Sequence, residues 1–331
     1  MPRREPSGTL PAMMVDVDLE GPAAWTRDSL AEGAGYLRLS GECWDEIEAL
    51  ATTLRANPLP TLALRPDDFA LRACRAAIDE ARIALDRGPG FVILDRLPEM
   101  AREEAVPVFW LLASMLARAV AQKWDGTMVY DVRDRGRPPG NGVRPDITNV
   151  EQSFHTDNSY NLCPPEYVGL MCVQTAMDGG VSRVVSLASV HNALRREHRD
   201  LLPRLYRPFC FDRQREHAPG DDLVLRHPIF EIEPGGRLTW RLSRFQVVNG
   251  HGLAEEPLDE EGAAALQALD DVMARPDLHA EFHFQPGQIQ LVANRIVAHK
   301  RTAFRDWPEP DRKRHLVRLW LRDRGRAFYH G

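Results

Sequence analysis

The chain of 331 residues has little of what a metal-knuckle or disulfide-stapled protein needs. Its five cysteines, Cys43, Cys74, Cys163, Cys172 and Cys210, are scattered and odd in number, and none stand at C-x-x-C spacing. That argues against a zinc ribbon or a disulfide framework and fits reduced thiols in a cytoplasm. A long hydrophobic run is also missing. The longest uncharged apolar stretch, 105–117, holds Pro107, falls short of the ~20 residues that cross a bilayer, and reads as a buried helix. The first residues carry charge with no apolar run behind them, so no secretory signal is expected. Nor is there a basic surplus: 42 Lys and Arg stand against 48 Asp and Glu, a net charge of −6, which argues against a nucleic-acid partner. No internal repeat or low-complexity block is visible. What is present, 44% hydrophobic and 27% charged residues, supports a substantial core. The expected setting is the cytoplasm and the expected partner a small molecule, not a membrane; a homo-oligomer stays open.

Residues 1 to about 22 are rich in Pro, Gly and charge and are expected to be loosely ordered. Residues 23–331 are expected to form one domain. Its first part, about 23–122, reads as helical. Apolar residues recur at helical spacing over 43–57 (Trp44, Ile47, Leu50) and 66–86 (Leu71, Cys74, Ile78, Ile83). Gly88-Pro89-Gly90 stops the second helix, a strand follows at 91–94, and a third helix spans about 101–122. Beyond it come short β-like runs at 167–174, 182–187, 223–225, 229–232, 238–242, 289–292 and 316–321. Turn residues such as Pro164-Pro165, Gly179-Gly180 and Pro286-Gly287 separate them. Helices are expected at 189–202 and 258–275, and the polar stretch 209–222 reads as a lid or a plain surface loop. The predicted class is α+β. A β-sandwich or jelly-roll core over about 90–322, with flanking helices, fits better than a doubly wound parallel sheet.

The segment Phe154-His155-Thr156-Asp157-Asn158 carries the most chemistry. If it is extended, His155 and Asp157 share a face and can bind one ion together. Two imidazoles and a carboxylate on one side of iron leave three coordination positions open. The spacing alone is not specific. A second such pair, His198 and Asp200, falls in the predicted helix 189–202, where positions two apart diverge by about 200°, and reads as surface. His279 and Glu281 are a similar near miss. For His155 and Asp157 the bland alternative is a hydrogen-bonded turn. Downstream, a Pro286-Gly287 turn leads through Asn294-Arg295 to His299. Then, in an extended segment, Arg314, Leu316 and Arg318 share one face. Paired guanidiniums suit a dicarboxylate; the alternative is a solvated basic strand.

Taken in order, F-H-T-D at 154–157, G-G-x-S at 179–182, P-G followed by N-R and H-x-R-T-x-F within 286–304, and R-H-L-x-R-L-W-L at 314–321 resemble the TauD/TfdA family. These are Fe(II)/2-oxoglutarate-dependent dioxygenases, similar to clavaminate synthase. The resemblance covers about 90–322. It implies a double-stranded β-helix, or jelly roll, with Fe(II) as cofactor and 2-oxoglutarate and O2 as cosubstrates. By position it makes His155, Asp157 and His299 the iron ligands. Arg314 and Ser182 would hold the distal carboxylate of 2-oxoglutarate, with Arg318 a second arginine near cosubstrate or substrate. Gln288 and Ala293 stand where members often carry an acidic residue, and the gap from His299 to Arg314 is long, which makes Arg312 a rival anchor. The implied reaction oxidises, most often hydroxylates, a C–H bond of a small polar carboxylate or amino-acid-like molecule, releasing succinate and CO2. Desaturation or ring formation is the alternative outcome. Related halogenases lack the carboxylate that Asp157 supplies, which argues against halogenation. Asn149, Gln152, Asn158, Tyr160, Arg241 and Arg244 are expected to face substrate. Two readings of other classes stand beside this one: a zinc hydrolase, since the same ligands bind zinc, and a non-catalytic jelly-roll binding protein.

Overall fold

The structure, a computed structural model, describes residues 14–138 and 143–328. Its first helix, Gly41–Ala56, starts at Ser40, whose Oγ accepts from the Cys43 N–H (3.2 Å). The second, Arg72–Arg87, has no cap of its own. The Glu46 carboxylate supplies one, accepting from the N–H groups of Ala73 and Cys74 (2.9 Å each). One side chain thus satisfies orphan donors at a neighbouring helix start and locks the two helices together. The buried stripes are Cys43, Ile47, Leu50, Ala51 and Cys74, Ile78, Ala81, Leu85. Trp44 and Ile83, counted in the helical spacing, fall outside these stripes and are 36% and 61% exposed. The third helix ends at Leu116, and residues expected to continue it form the strand Arg118–Val120.

These helices pack on one face of a seven-stranded sheet. Its order is Tyr36–Leu37, Phe91–Leu94, Ile289–Ala293, Tyr167–Gln174, His315–Arg322 and Arg118–Val120, with Tyr130–Val132 also paired to His315–Arg322. Along His315–Arg322, Val317, Leu319 and Leu321 face the helices, while Leu316 and Trp320 join clusters on the other side, as strand alternation requires. A four-stranded sheet shares that inner side, with Phe154, Val184, Val185 and Val297 packed in one cluster with Val168 and Trp320. Its order is His279–Phe282, Ser182–Ser186, Val297–Arg301 and Gln152–His155. The fold is therefore a mixed α+β one.

Several expectations need correction. Residues 14–22 are pinned, not loose: Leu19 and the Asn192 side chain exchange two hydrogen bonds of 2.8 Å, and Asp18 pairs with Arg195. Residues 1–13 lie outside the described residues. The stretch 209–222 is not simply polar loop, because Phe209–Asp212 is a strand with Phe209, Cys210 and Phe211 buried. The expected helix 189–202 is Leu187–Glu197, so His198 and Asp200 lie beyond its end, at the surface. A helix at Arg244–Leu253 was not foreseen. Among the described residues, no helix is long and apolar enough to cross a membrane.

Candidate metal centre

His155 ends the strand Gln152–His155, and His299 sits opposite it on Val297–Arg301 as its direct antiparallel partner. The rings are 4.3 Å apart between centroids. Asp157 follows just past the strand end, and its Oδ1 lies 3.3 Å from His155 Nε2 and 3.8 Å from His299 Nε2. One ligand atom from each of the three residues falls within 4.8 Å of the others, close enough to hold a metal ion. The Nδ1–H of His155 donates to the Ser153 carbonyl (2.9 Å), which leaves Nε2 its lone pair. The buried Nδ1 of His299 meets no partner among the described residues.

The second oxygen of Asp157 is already held. Its Oδ2 accepts from the Trp320 indole N–H (2.6 Å) and lies 3.2 Å from the Arg318 guanidinium, so only Oδ1 is left for an ion. Burial pushes the Asp157 carboxyl up, but Arg318 and the two histidines outweigh it and hold it well below the usual carboxylate range. Burial, reinforced by the His155 ring, brings His299 down to about 3. Both groups therefore present unprotonated donors at neutral pH. Backbone geometry is fixed from the far side of the chain. Asn294 accepts from Asp157 N–H (2.8 Å) and donates to the carbonyls of Asp157 and Pro165 (3.0 Å each). Asn294→Ala removes three buried hydrogen bonds and is expected to lower stability by about 3 kcal/mol, read from denaturant midpoints.

Beside the histidines lies a narrow cavity walled by Gln152, Ser182, Arg301, Arg314, Leu316 and Arg318. Arg314 is buried. Its backbone N–H donates to Asp306 Oδ1 (2.7 Å), its guanidinium lies over the Phe304 ring at 5.1 Å, and its Nη1 has no partner among the described residues. Burial draws it down to about 10. Ser182 Oγ donates to Gln290 Oε1 (3.1 Å). The rival Arg312 is 47% exposed along its side chain, stacks on Trp307 and pairs with Glu309, so it does not reach this cavity. Arg301, not anticipated, donates to the carbonyls of Thr148 (3.2 Å) and Val150 and also lies over the Phe304 ring, 4.7 Å from its centroid. Burial, then Arg314, lowers it to about 9.

A second cavity of about 250 Å³ opens on His155 and Asp157, and Gln152, Asn158, Tyr160 and Arg244 line it. Gln152 Nε2 sits 2.9 Å from His155 Nε2. Asn158 takes a left-handed backbone, φ 55°, and donates to the Cys163 carbonyl. Two nominated residues are elsewhere. Asn149 is exposed and its carbonyl accepts from Phe304 N–H. Arg241 is buried with its donors on the carbonyls of Asn161 and Leu162. Arg318 lines both cavities, donating to Gln122 Oε1 (2.8 Å) between the rings of Tyr130 and Trp320. Asp146, Gln122, Arg301 and Trp320 were missed. Only Trp320 had a readable signal, since it alternates with Arg318 on one strand face.

Comparison with known proteins agrees with this geometry. The model of the family described as taurine catabolism dioxygenase TauD, TfdA family matches residues 55–320. FR-33289 synthase of Streptomyces rubellomurinus is 30% identical over 74% of this chain and 72% of its own. The taurine hydroxylase-like protein SAT17 of Stachybotrys chartarum is 24% identical over 83% and 71%. Among solved structures, asparagine oxygenase in complex with Fe(II), 2S,3S-3-hydroxyasparagine and succinate shares the fold, with a TM-score of 0.65 and 21% identity over 87% of this chain and 94% of that one. The non-heme iron oxygenase OrfP with Fe and alpha-ketoglutaric acid does so at a TM-score of 0.60 and 14% identity, over the same shares. A family match that begins in the first long helix and runs into the last strand, with the His–Asp–His cluster inside it, makes this chain a member of the TauD/TfdA family.

Proposed function

We propose that this chain is an Fe(II)/2-oxoglutarate-dependent dioxygenase that hydroxylates a small amino-acid-like molecule, with release of succinate and CO2. The observation that carries the reading is a pair: three converging ligand atoms, and one cavity wall away a buried guanidinium whose Nη1 has no partner among the described residues. A carboxylate-bearing cosubstrate fits the second as a metal fits the first. The large and small sheets are then the two halves of a double-stranded β-helix, in one domain over 23–331, working in the cytoplasm.

Iron, 2-oxoglutarate and O2 together supply an oxidant strong enough for an unactivated C–H bond. The chain's own residues position and protect. His155, Asp157 and His299 would hold the metal. Arg314, with the Ser182 hydroxyl, takes the distal carboxylate of the cosubstrate. Trp320 and Arg318 keep Asp157 turned so that one oxygen faces the metal. The substrate sits in the 250 Å³ cavity, where Gln152, Asn158 and Tyr160 orient it. The asparagine and arginine derivatives named with the two structural neighbours support an amino-acid-like substrate. Fit to a zinc hydrolase is poorer, because such an enzyme has no use for a buried Arg314 with an open Nη1 in the cavity beside the histidines.

Anaerobic Fe(II) with 2-oxoglutarate should give a weak visible absorption band, and air should then yield succinate. Tight zinc binding with no such band would favour the hydrolase. A loaded protein that never consumes 2-oxoglutarate would leave a binding protein. Product mass separates hydroxylation, a gain of one oxygen, from desaturation or ring closure, a loss of two hydrogens. Trp320→Phe keeps the ring but loses the donor to Asp157, and is expected to weaken metal binding by roughly 10- to 100-fold in an anaerobic titration.

A further inference from the structure

Around the larger cavity, the charged side chains are paired at hydrogen-bond distance among the described residues, with one exception. Arg144 pairs with Glu216 (2.6 Å), Arg244 with Asp270 (2.9 Å) and Glu151 with Lys300 (2.6 Å). Asp157 is held by Trp320 and Arg318. Asp146 differs. It is 6% exposed, lines both cavities, and its Oδ1 has no donor among the described residues. Its Oδ2 lies 3.8 Å from Arg318 Nη2, beyond hydrogen-bond reach. Arg318 is committed to Asp157 and Gln122 and would lose those contacts by moving closer. Another cation of the smaller cavity, Arg301, directs two of its donors to the carbonyls of Thr148 and Val150. Those same bonds anchor the chain just after the short 3-10 turn Pro145–Ile147, so Asp146 is held where it is.

A buried carboxylate oxygen without a donor is costly, and a ligand that supplies one gains what the protein withholds. The cosubstrate of the proposed reaction cannot be that donor, because it is itself a dianion. The remaining visitor is the substrate. We infer that Asp146 reads a protonated nitrogen on the substrate, which makes the substrate class an amine-bearing acid, with its ammonium on Asp146. This rests on the oxygenase reading and narrows it: Asp146 becomes the specificity-determining residue of the cavity.

The test is a binding titration under nitrogen with protein loaded with Fe(II) and 2-oxoglutarate. The readout is the change in the visible band on adding each of the twenty common L-amino acids, their N-acetyl forms and nitrogen-free acids such as succinic semialdehyde and butyric acid. Free-amine compounds are expected to shift the band. Acetylation should raise Kd by roughly 30-fold or more, the scale of one charge-assisted hydrogen bond. In Asp146→Asn the ratio of acetylated to free-amine Kd should shrink to about threefold, and Asp146→Glu should restore part of it. If Asp146 served only to steady Arg318, Asp146→Asn would weaken every probe alike and leave the ratio intact, which overturns the proposal. So would acetylated or nitrogen-free acids binding the wild type as well as amines, or a panel in which no amine-bearing acid shifts the band. Absence of the band before any probe is added would instead defeat the oxygenase reading itself.

Discussion

Asp157→Ala is expected to abolish tight ferrous-ion binding and all succinate formation. It removes the single negative ligand from a site whose other donors are neutral imidazoles, leaving a dication without local counter-charge. Loss of a mere outer partner costs up to about 100-fold in affinity, so loss of this ligand should exceed that. The substitution has a second consequence. Asp157 Oδ2 is bound by Trp320 and Arg318, and those groups are buried. Removing one partner of a buried pair costs about 3–5 kcal/mol, so the metal-free variant should also melt well below wild type. His299→Ala provides the control. Its Nδ1 has no partner to lose among the described residues, so it should forfeit metal as fully as Asp157→Ala while losing less stability. Manganese titration and thermal melts on both variants read the two effects separately. A tight metal site surviving in either variant would show that the ion is held elsewhere.

The sequence was legible where side-chain chemistry and strand period coincided. Tyr167–Gln174 and His315–Arg322 alternate cleanly or run apolar between turn signals, and both were read nearly to the residue. The strands that carry the ligands were not. In Val297–Arg301 the sequence V-A-H-K-R turns polar where His299 and Arg301 point to the cavity, and in Gln152–His155 the polar residues again mask the pleat. A strand facing a polar site lacks the apolar alternation that marks an ordinary one. Motif order, not periodicity, located His155, Asp157 and His299. The residues that hold them were invisible for another reason. Asn294 acts across 137 residues of chain, and Asp146 sits in a short 3-10 turn with no period at all. Arg241 shows the converse error. It looked like a cavity arginine, as Arg244 did, but it directs donors to carbonyls of a neighbouring loop, a use of arginine that leaves no trace in local sequence.

Arg314→Met should uncouple cosubstrate binding from folding, with opposite signs. In the structure the Arg314 guanidinium is buried against Phe304, with no carboxylate paired to it among the described residues and Nη1 unsatisfied. An uncompensated buried cation destabilises the empty protein, and an apolar side chain of similar length is often neutral or stabilising there, by about 1–2 kcal/mol. The ligand-free variant is therefore expected to melt at or above the wild-type temperature. Binding runs the other way. A dicarboxylate meeting this fork gains a bidentate, desolvated pair, and its loss should raise the KM for 2-oxoglutarate by about 100-fold or more, ~3 kcal/mol. Arg314→Lys keeps the charge without the fork and should fall between. Thermal shift joins the two effects in one measurement. Cosubstrate at about 100 times Kd stabilises a binding protein by ~2.7 kcal/mol; metal-loaded wild type should show that rise and Arg314→Met should not. If the variant kept the full rise, the distal carboxylate would have to rest on Arg301, the other guanidinium against Phe304 in that cavity. Arg301→Met would then lose it instead, along with the Thr148 and Val150 contacts that fix the loop bearing Asp146.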